Sequence, residues 1–352
     1  MTIKIIAVGD IMLGDQDLCA GFGVGSHIKK RGANYLFDDV RDILSRGDIV
    51  FGNLECSVNR DANIDYKKTF FCACPAVVPA LKNAGFNALS VANNHIMQNG
   101  LEIYNHTINL LDENKILPVG VRNDVRIKKI HGLDIAFFGY SFIDDKICGV
   151  GYNKIIDDKK IFDDISKIRA SSDLIIISLH WGLEYVPYAS VWQIETARKL
   201  IDAGADVILG GHSHVLQGYE IYNGKPIIYS LGNFIFDQTF NPETTISAIF
   251  EINIGENVEI KCMPILINPV HYALNLSLSE ELVNAVSTAH RNIEGNSISK
   301  YETLVVNYLS ADNPFHKMAK KHMKRHFCKH FYKYMMRQNV HIIFEYIRNI
   351  VR

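Results

Sequence analysis

Five short apolar runs in this chain end in side chains that can hold a metal ion or carry a proton. Residues 3–8 lead to Asp10, residues 49–52 to Asn53 and Glu55, and residues 88–92 to Asn93, Asn94 and His95. Residues 174–179 lead to His180, and residues 206–209 lead through Gly210 and Gly211 to the pair His212 and His214. Apolar runs of this length read as buried strands. In open α/β sheets, ligands collect beyond the carboxyl ends of the strands. Five such endings therefore predict one site assembled from distant segments. The donors are carboxylate oxygen, amide oxygen and imidazole nitrogen without thiolate, which suits manganese, iron, zinc or magnesium. Asp10, Glu55, Asn94, His180, His212 and His214 outnumber the donors of a closed structural zinc site. They match two divalent ions sharing a bridging carboxylate, an arrangement that activates water and stabilises a displaced oxygen.

Taken singly, most of these residues have a plainer reading. Asp10 follows a glycine and fits a cap or turn, Asn93 and Asn94 are common turn formers, and His180 beside Trp181 fits a buried core histidine. Only His212 and His214, on a diglycine turn after a buried run, point to a ligand role unaided. It is the convergence imposed by a sheet that joins them.

The elements that must position these residues follow the same periodicities. Strand-like runs at 3–9, 48–52, 86–91, 116–119 and 173–179 alternate with helical patterns near 34–46, 76–84, 100–114 and 160–169, which predicts βαβ units. After a helix at about 190–203 the pattern changes to strands at 225–230, 245–254 and 258–265. Turn signals at Asn223-Gly224, at 255–257 and at His131-Gly132 predict antiparallel hairpins. The sheets should thus be mixed, with parallel strands at their centre and two sheets packed face to face between helices. Strand signals stop past Asn268-Pro269. This places a boundary near residue 270, with a body at 1–270 and a helical extension at 271–352.

The extension differs in charge from the body. The whole chain has 352 residues and a formal net charge of −1, with 48% hydrophobic and 21% charged residues. Residues 311–352 hold ten lysines and arginines against Asp312 and Glu345. Residues 315–337 carry Phe, Met and Tyr at helical spacing, with a basic face that fits anionic lipid and an apolar face that equally fits packing on the body. His322, His326 and His330 recur there at four-residue intervals and read as part of that solvated face. No nucleic-acid motif accompanies the charge, so no nucleic-acid partner is expected. Seven cysteines without regular spacing, including Cys72 and Cys74, read as reduced thiols. No leader or run of ~18–20 apolar residues is evident. The expected location is cytoplasmic, or peripheral at the inner face of the membrane.

The strings GDIMLG (9–14), GNLE (52–55), ANNHIMQNG (92–100), HWGLEY (180–185), GGHSHVLQ (210–217) and YSLGNFIFD (229–237) resemble those of the capsule-synthesis CapA family. That family is related to poly-γ-glutamate synthesis proteins and sits in the calcineurin-like metallophosphatase superfamily. The resemblance covers roughly residues 1–270 with all six strings in order. It implies an α/β fold, a four-layer α/β/β/α sandwich of two mixed sheets, and one or two divalent metal ions. Carried over residue by residue, it makes Asp10 the first-strand ligand and part of the catalytic set. Asn53 or Glu55 takes the bridging position, Asn94 is the amide ligand and His95 the proton donor to the leaving group. His180 and His212 complete one metal and His214 the other. The chain departs from the pattern at three places. Met12 stands where metallophosphatases carry a histidine, the usual bridging aspartate is replaced by Asn53 with Glu55, and Gln98 stands where the CapA-like pattern has an aspartate. These departures weaken the first metal position or leave a single metal. Glu184, Asn233 and Asp237 lie in the same strings, with ligating, supporting and structural roles all open.

The resemblance implies a phosphoesterase-like, metal-dependent hydrolase acting in capsule, exopolysaccharide or poly-γ-glutamate biosynthesis. The alternative is a non-catalytic accessory subunit of a cell-surface polymer synthesis complex. The partners expected are the polymer or its precursor, a polymer synthase complex and, through the basic extension, the membrane surface.

Overall fold

A computed structural model describes residues 2–145, 151–155 and 158–276. The expected helix at 315–337 and the histidines at 322, 326 and 330 lie outside the described residues. The chain begins β1 (Ile3–Ile11), α1 (Val24–Arg31), α2 (Arg41–Leu44), β2 (Ile49–Leu54), β3 (Ser57–Val58), β4 (Cys72–Ala73), α3 (Val77–Ala84), β5 (Ala88–Ser90), α4 (Leu101–Glu113) and β6 (Leu117–Val119). It continues β7 (Arg126–Ile130), β8 (Leu133–Ser141), α5 (Lys159–Ile168), β9 (Leu174–His180), α6 (Val191–Asp202) and β10 (Val207–Gly211). The last strands are β11 (Leu216–Tyr222), β12 (Lys225–Leu231), β13 (Asn233–Ile235), β14 (Ile246–Ile254), β15 (Val258–Ile267) and β16 (Leu274–Leu276).

Two mixed sheets form the centre. The first has the order β16-β15-β14-β1-β2-β5-β6, with β13 paired to the end of β1. Its β1, β2, β5 and β6 run parallel, and β14, β15 and β16 are antiparallel. The second has the order β11-β12-β10-β9-β8-β7, parallel from β12 to β8 and antiparallel at both edges. The burial of each strand follows its place. All seven residues of β9 are buried, as expected for a central parallel strand covered on both faces. At the edge, β7 alternates half-buried and exposed side chains before ending in the buried Ile130.

Three apolar clusters define four layers. One joins the facing sides of the two sheets through Ile5, Phe51, Phe137, Ile176 and Leu209. A second packs α1, α3 and α4 on the outer face of the first sheet, and a third packs α5 and α6 on the second. In α4 the buried residues Tyr104, Thr107, Ile108 and Leu111 recur at three- and four-residue spacing, the stripe that seats an amphipathic helix. The resulting sandwich, helices on each side of two mixed sheets, is the one the sequence predicts. The expected turns are also present. His131 with Gly132 and Asn223 with Gly224 all have positive φ, the backbone of a two-residue hairpin turn.

Three details depart from the sequence reading. The segment expected as one helix at 34–46 is a 3-10 turn, Asn34–Phe37, followed by the short α2. Helix α1 was not expected, because Gly21, Gly23 and Gly25 give its start the composition of a loop. Strand pairing also continues past Pro269, where Leu274–Leu276 adds β16 to the edge of the first sheet.

Candidate metal centre

The carboxyl ends of β1, β2, β5, β9 and β10 meet at one edge of the sandwich, and backbone irregularity there aims the side chains. The register between β1 and β2 shifts between Ala7 and Asp10, an irregularity that resets the strand just before Asp10, which then pairs with Asn53 on one side and Asn233 on the other. After β10, His212 and His214 have φ of 88° and 58°. Left-handed backbone in non-glycine residues is sparse and costs about 1–3 kcal/mol each, and it is characteristic of functional turns. Gly211 permits the close approach: a Cβ there would lie 3.0 Å from Asp10 Oδ1. With no side chain in the way, the His212 N–H reaches Asp10 Oδ2 at 3.3 Å.

The structure brings every expected site residue into this cluster. Asp10 Oδ2 lies 3.3 Å from His214 Nδ1, and His180 Nε2 lies 2.9 Å from Asn94 Oδ1. The rings of His180 and His212 are 4.7 Å apart. Glu55 stands in the middle. Its Oε1 has the Nε2 atoms of His95, His180 and His214 each at 3.9 Å. All of these residues except Asn94 and His95 are buried.

Asn53 occupies a different place from the others. Its Nδ2 donates to Asp10 Oδ1 at 2.8 Å and to Glu55 Oε2 at 3.4 Å, while its Oδ1 accepts from Asn93 Nδ2 at 3.0 Å. In this arrangement it ties the two carboxylates together. Asn93 in turn accepts the backbone N–H groups of His95 and Ile96, which fixes the loop that presents Asn94 and His95. His95 stacks on Phe71 with ring centres 3.7 Å apart and has Nδ1 2.9 Å from Gln98 Oε1. The Gln98 amide oxygen therefore accepts a hydrogen bond from Nδ1–H, which leaves Nε2 facing the cluster. An aspartate would orient the ring in the same way while adding charge. Asn233 plays the same part for His214, with Oδ1 2.9 Å from Nδ1.

Met12 is fully buried in the core, with its N–H bonded to the Ile235 carbonyl, and it offers the cluster no donor.

Burial shifts the protonation of several of these groups. Burial, and then the neighbouring Asp10, push the Glu55 carboxyl well above its ordinary range. Burial pulls His214 down, but Glu55 and Asp10 hold it up, to about 10. Burial and the adjacent imidazoles push His180 and His212 well below their usual value, so both are neutral and have lone pairs to give. His95 is only partly exposed, and desolvation of its ring brings it down to about 4. Among the described residues, Glu55 Oε1 and His212 Nδ1 are buried without a hydrogen-bond partner. Such orphaned buried atoms are rare and expensive. Two triads have donor atoms within 4.8 Å of one another: Asp10, Glu55 and His180, and Glu184, His212 and His214. The oxygen and nitrogen donors, the orphaned atoms and the spacing together fit a divalent cation. The sequence missed the pairing of Asn53 with both carboxylates, because a strand pattern shows which residue ends a strand and not which way its amide turns.

The model of the bacterial capsule synthesis protein family PGA_cap matches residues 4–238. The chain is 32% identical over 263 residues to the PGA biosynthesis protein CapA of Bacillus subtilis, covering 71% of this chain and 67% of that protein. It is 32% identical over 275 residues to the capsule biosynthesis protein CapA of Bacillus anthracis, covering 72% and 64%. The matched region thus spans about two thirds of those relatives. A solved structure, the calcineurin-like phosphoesterase YfkN from Bacillus subtilis, aligns with a TM-score of 0.45 and 16% identity over 83% of this chain and 97% of that one. The family match over residues 4–238, with the identity to the two Bacillus relatives, shows that the chain belongs to the bacterial PGA_cap capsule synthesis family.

Proposed function

We propose that this protein is a metal-dependent hydrolase of the phosphoesterase type, working in the synthesis or processing of a cell-surface polymer. The observation that carries the reading is Glu55 Oε1, a buried carboxylate oxygen without a hydrogen-bond partner and ringed by three imidazole nitrogens at 3.9 Å. Asp10, Glu55, Asn94, His180, His212 and His214 would hold the metal. A divalent cation there would supply Lewis acidity and a nucleophile at neutral pH. Asn53 keeps Asp10 and Glu55 in register by donating to both. His95, oriented by Gln98 and braced on Phe71, hands a proton from Nε2 to the leaving oxygen. Burial makes that imidazole a weak base, and the negative charge of a phosphoryl substrate against Nε2 restores its proton affinity. The polymer context rests on the family and on the names of the two Bacillus relatives.

The test is metal analysis of the purified protein, followed by a screen of phosphoester and peptide-like substrates with added manganese. His95→Ala should abolish turnover, at least ~100-fold, while metal content stays near the wild-type level. His212→Ala should lower both. Equal loss of metal in the two variants would remove the acid role given to His95.

A second reading is favoured by Met12, whose burial leaves β1 one donor short of the superfamily pattern. On that reading the protein is an accessory subunit of a polymer synthase complex that binds metal without turnover. Bound metal with no activity on any substrate class supports it.

The basic residues of 311–352 are proposed to hold the protein on an anionic membrane surface at the inner face of the cell. Each contributes about 1 kcal/mol near such a surface. Replacing Lys320, Lys321, Lys324 and Arg325 with glutamate should abolish co-sedimentation of the full chain with phosphatidylserine vesicles. Unchanged pelleting of that variant rejects the membrane role. No described helix is long and apolar enough to cross a membrane.

A further inference from the structure

A metal pair needs donors on both sides of its bridge, and here β1 gives only Asp10 because Met12 faces the core. The structure offers a further carboxylate from another element. In the loop after β9, Glu184 has a carboxylate oxygen within 4.8 Å of donor nitrogens of both His212 and His214. The loop is held rather than loosely draped. Tyr185 has φ of 65°, donates its N–H to the Ser213 carbonyl at 2.7 Å and lays its ring 5.8 Å from that of His214. Gln238 Nε2 donates to the Tyr185 hydroxyl at 3.2 Å. Farther along, Gln217 Nε2 donates to the carbonyls of Val186 and Tyr188, and Gln193 closes the capping box of α6 with Ser190. These contacts fix Glu184 beside the Gly-His-Ser-His turn.

An independent observation points the same way. His212 Nδ1 is buried without a hydrogen-bond partner among the described residues, and the residue is only 5% exposed. A buried imidazole nitrogen next to a carboxylate and a second imidazole is a ligand set wanting its cation. Glu55 lies between the two groups, with Oε1 3.9 Å from His180 of one triad and 3.9 Å from His214 of the other.

We propose that Glu184 is a metal ligand. With His212 and His214 it forms a second divalent-cation position beside the one held by Asp10, Glu55 and His180, and so adds a carboxylate to a centre to which Met12 gives no donor. This rests on the metal-centre reading above and deepens it, because the centre becomes dinuclear with Glu55 between the two positions.

The experiment is a titration of chelator-treated full-length protein with Mn2+ by calorimetry, together with elemental analysis and electron paramagnetic resonance of the loaded protein. The wild type should bind two equivalents and give the exchange-coupled spectrum of paired ions. Glu184→Gln, nearly isosteric at a half-buried loop position, should bind one equivalent, or hold the second at least tenfold more weakly, and give an isolated-ion spectrum. Glu184→Asp, which keeps the charge, should recover part of the second affinity, and circular dichroism should show all three proteins folded alike. Two equivalents retained in Glu184→Gln would overturn the proposal. A single equivalent in the wild type would also overturn it while leaving the metal reading intact. No Mn2+ binding by the wild type would instead defeat the metal-centre reading itself.

Discussion

Asp15 and Asp237 meet against Gly23, where a Cβ would fall 2.1 Å from Asp237 Oδ2 and 2.8 Å from Asp15 Oδ1. Both are buried. Asp15 accepts from the Ser26 N–H and hydroxyl and from the Gly21 N–H. Asp237 accepts from the Gln16 N–H, and its Oδ1 has no partner among the described residues. The better-solvated charge is therefore on Asp15 and the proton on Asp237. Burial, and then Asp15, push the Asp237 carboxyl well above the usual range. The sign follows from linkage. The native protein holds a proton that the unfolded chain releases above about pH 4, so stability falls as pH rises toward the native pKa, by at most about 1.4 kcal/mol per pH unit. Asp237→Asn should remove that dependence. Its denaturation midpoint relative to wild type should therefore rise between pH 5 and pH 8, and a constant difference would show that Asp237 is ionised in the fold. This pairing joins positions 222 residues apart, and no local pattern shows it. By contrast, Asp10, His180, His212 and His214 were legible because each ends an apolar run. Glu184, in a loop, was legible only as an open choice.

At the level of elements, legibility tracked how much of an element its own sequence decides. The central strands β1, β2, β9 and β10 are apolar runs buried on both sides, and hydrophobicity alone marks them. The hairpin turns at His131-Gly132 and Asn223-Gly224 were readable because positive φ selects those residue types. The failures are elements whose stability comes from elsewhere. Helix α1 has no side-chain cap and begins in glycines. It is held instead by the Gly25 N–H to the Gly14 carbonyl and by Gly25 lying flat against Tyr66, where a Cβ would come within 2.4 Å of the ring. Strand β16 is three residues long and exists through its pairing with β15. Strand β13 is equally short, and its parallel pairing with the end of β1 brings Asn233 opposite Asp10. That register puts the Asn233 amide where it can orient His214. The site thus depends on short elements that propensity cannot foresee, set against long ones that it can.

Across the whole molecule, the donors divide between the two sheets. Asp10, Glu55 and Asn94 come from the ends of β1, β2 and β5 in the first sheet. His180, Glu184, His212 and His214 come from β9 and β10 and the loops that follow them in the second. Below this edge the sheets are joined by apolar packing through Ile5, Phe51, Ile176 and Leu209. At the edge itself the contacts are polar, between buried carboxylates and imidazoles that repel their own kind. A cation shared by both sets of donors would clamp the sheets together where the core does not reach. Since the unfolded chain scatters these residues, binding is to the native state, and mass action converts affinity into stability. At a free Mn2+ concentration of 100 times the dissociation constant, the gain is about 2.7 kcal/mol. For a body of this size that is a rise of about 5 °C in Tm. Thermal unfolding of the full chain, followed by tyrosine and tryptophan fluorescence, should therefore shift upward with Mn2+ in a concentration-dependent way and return on chelation. Asp10→Ala and His180→Ala, on opposite sheets, should each abolish most of the shift. If one of them leaves the shift intact, the cation is held by one sheet alone, and the clamp across the sandwich is wrong.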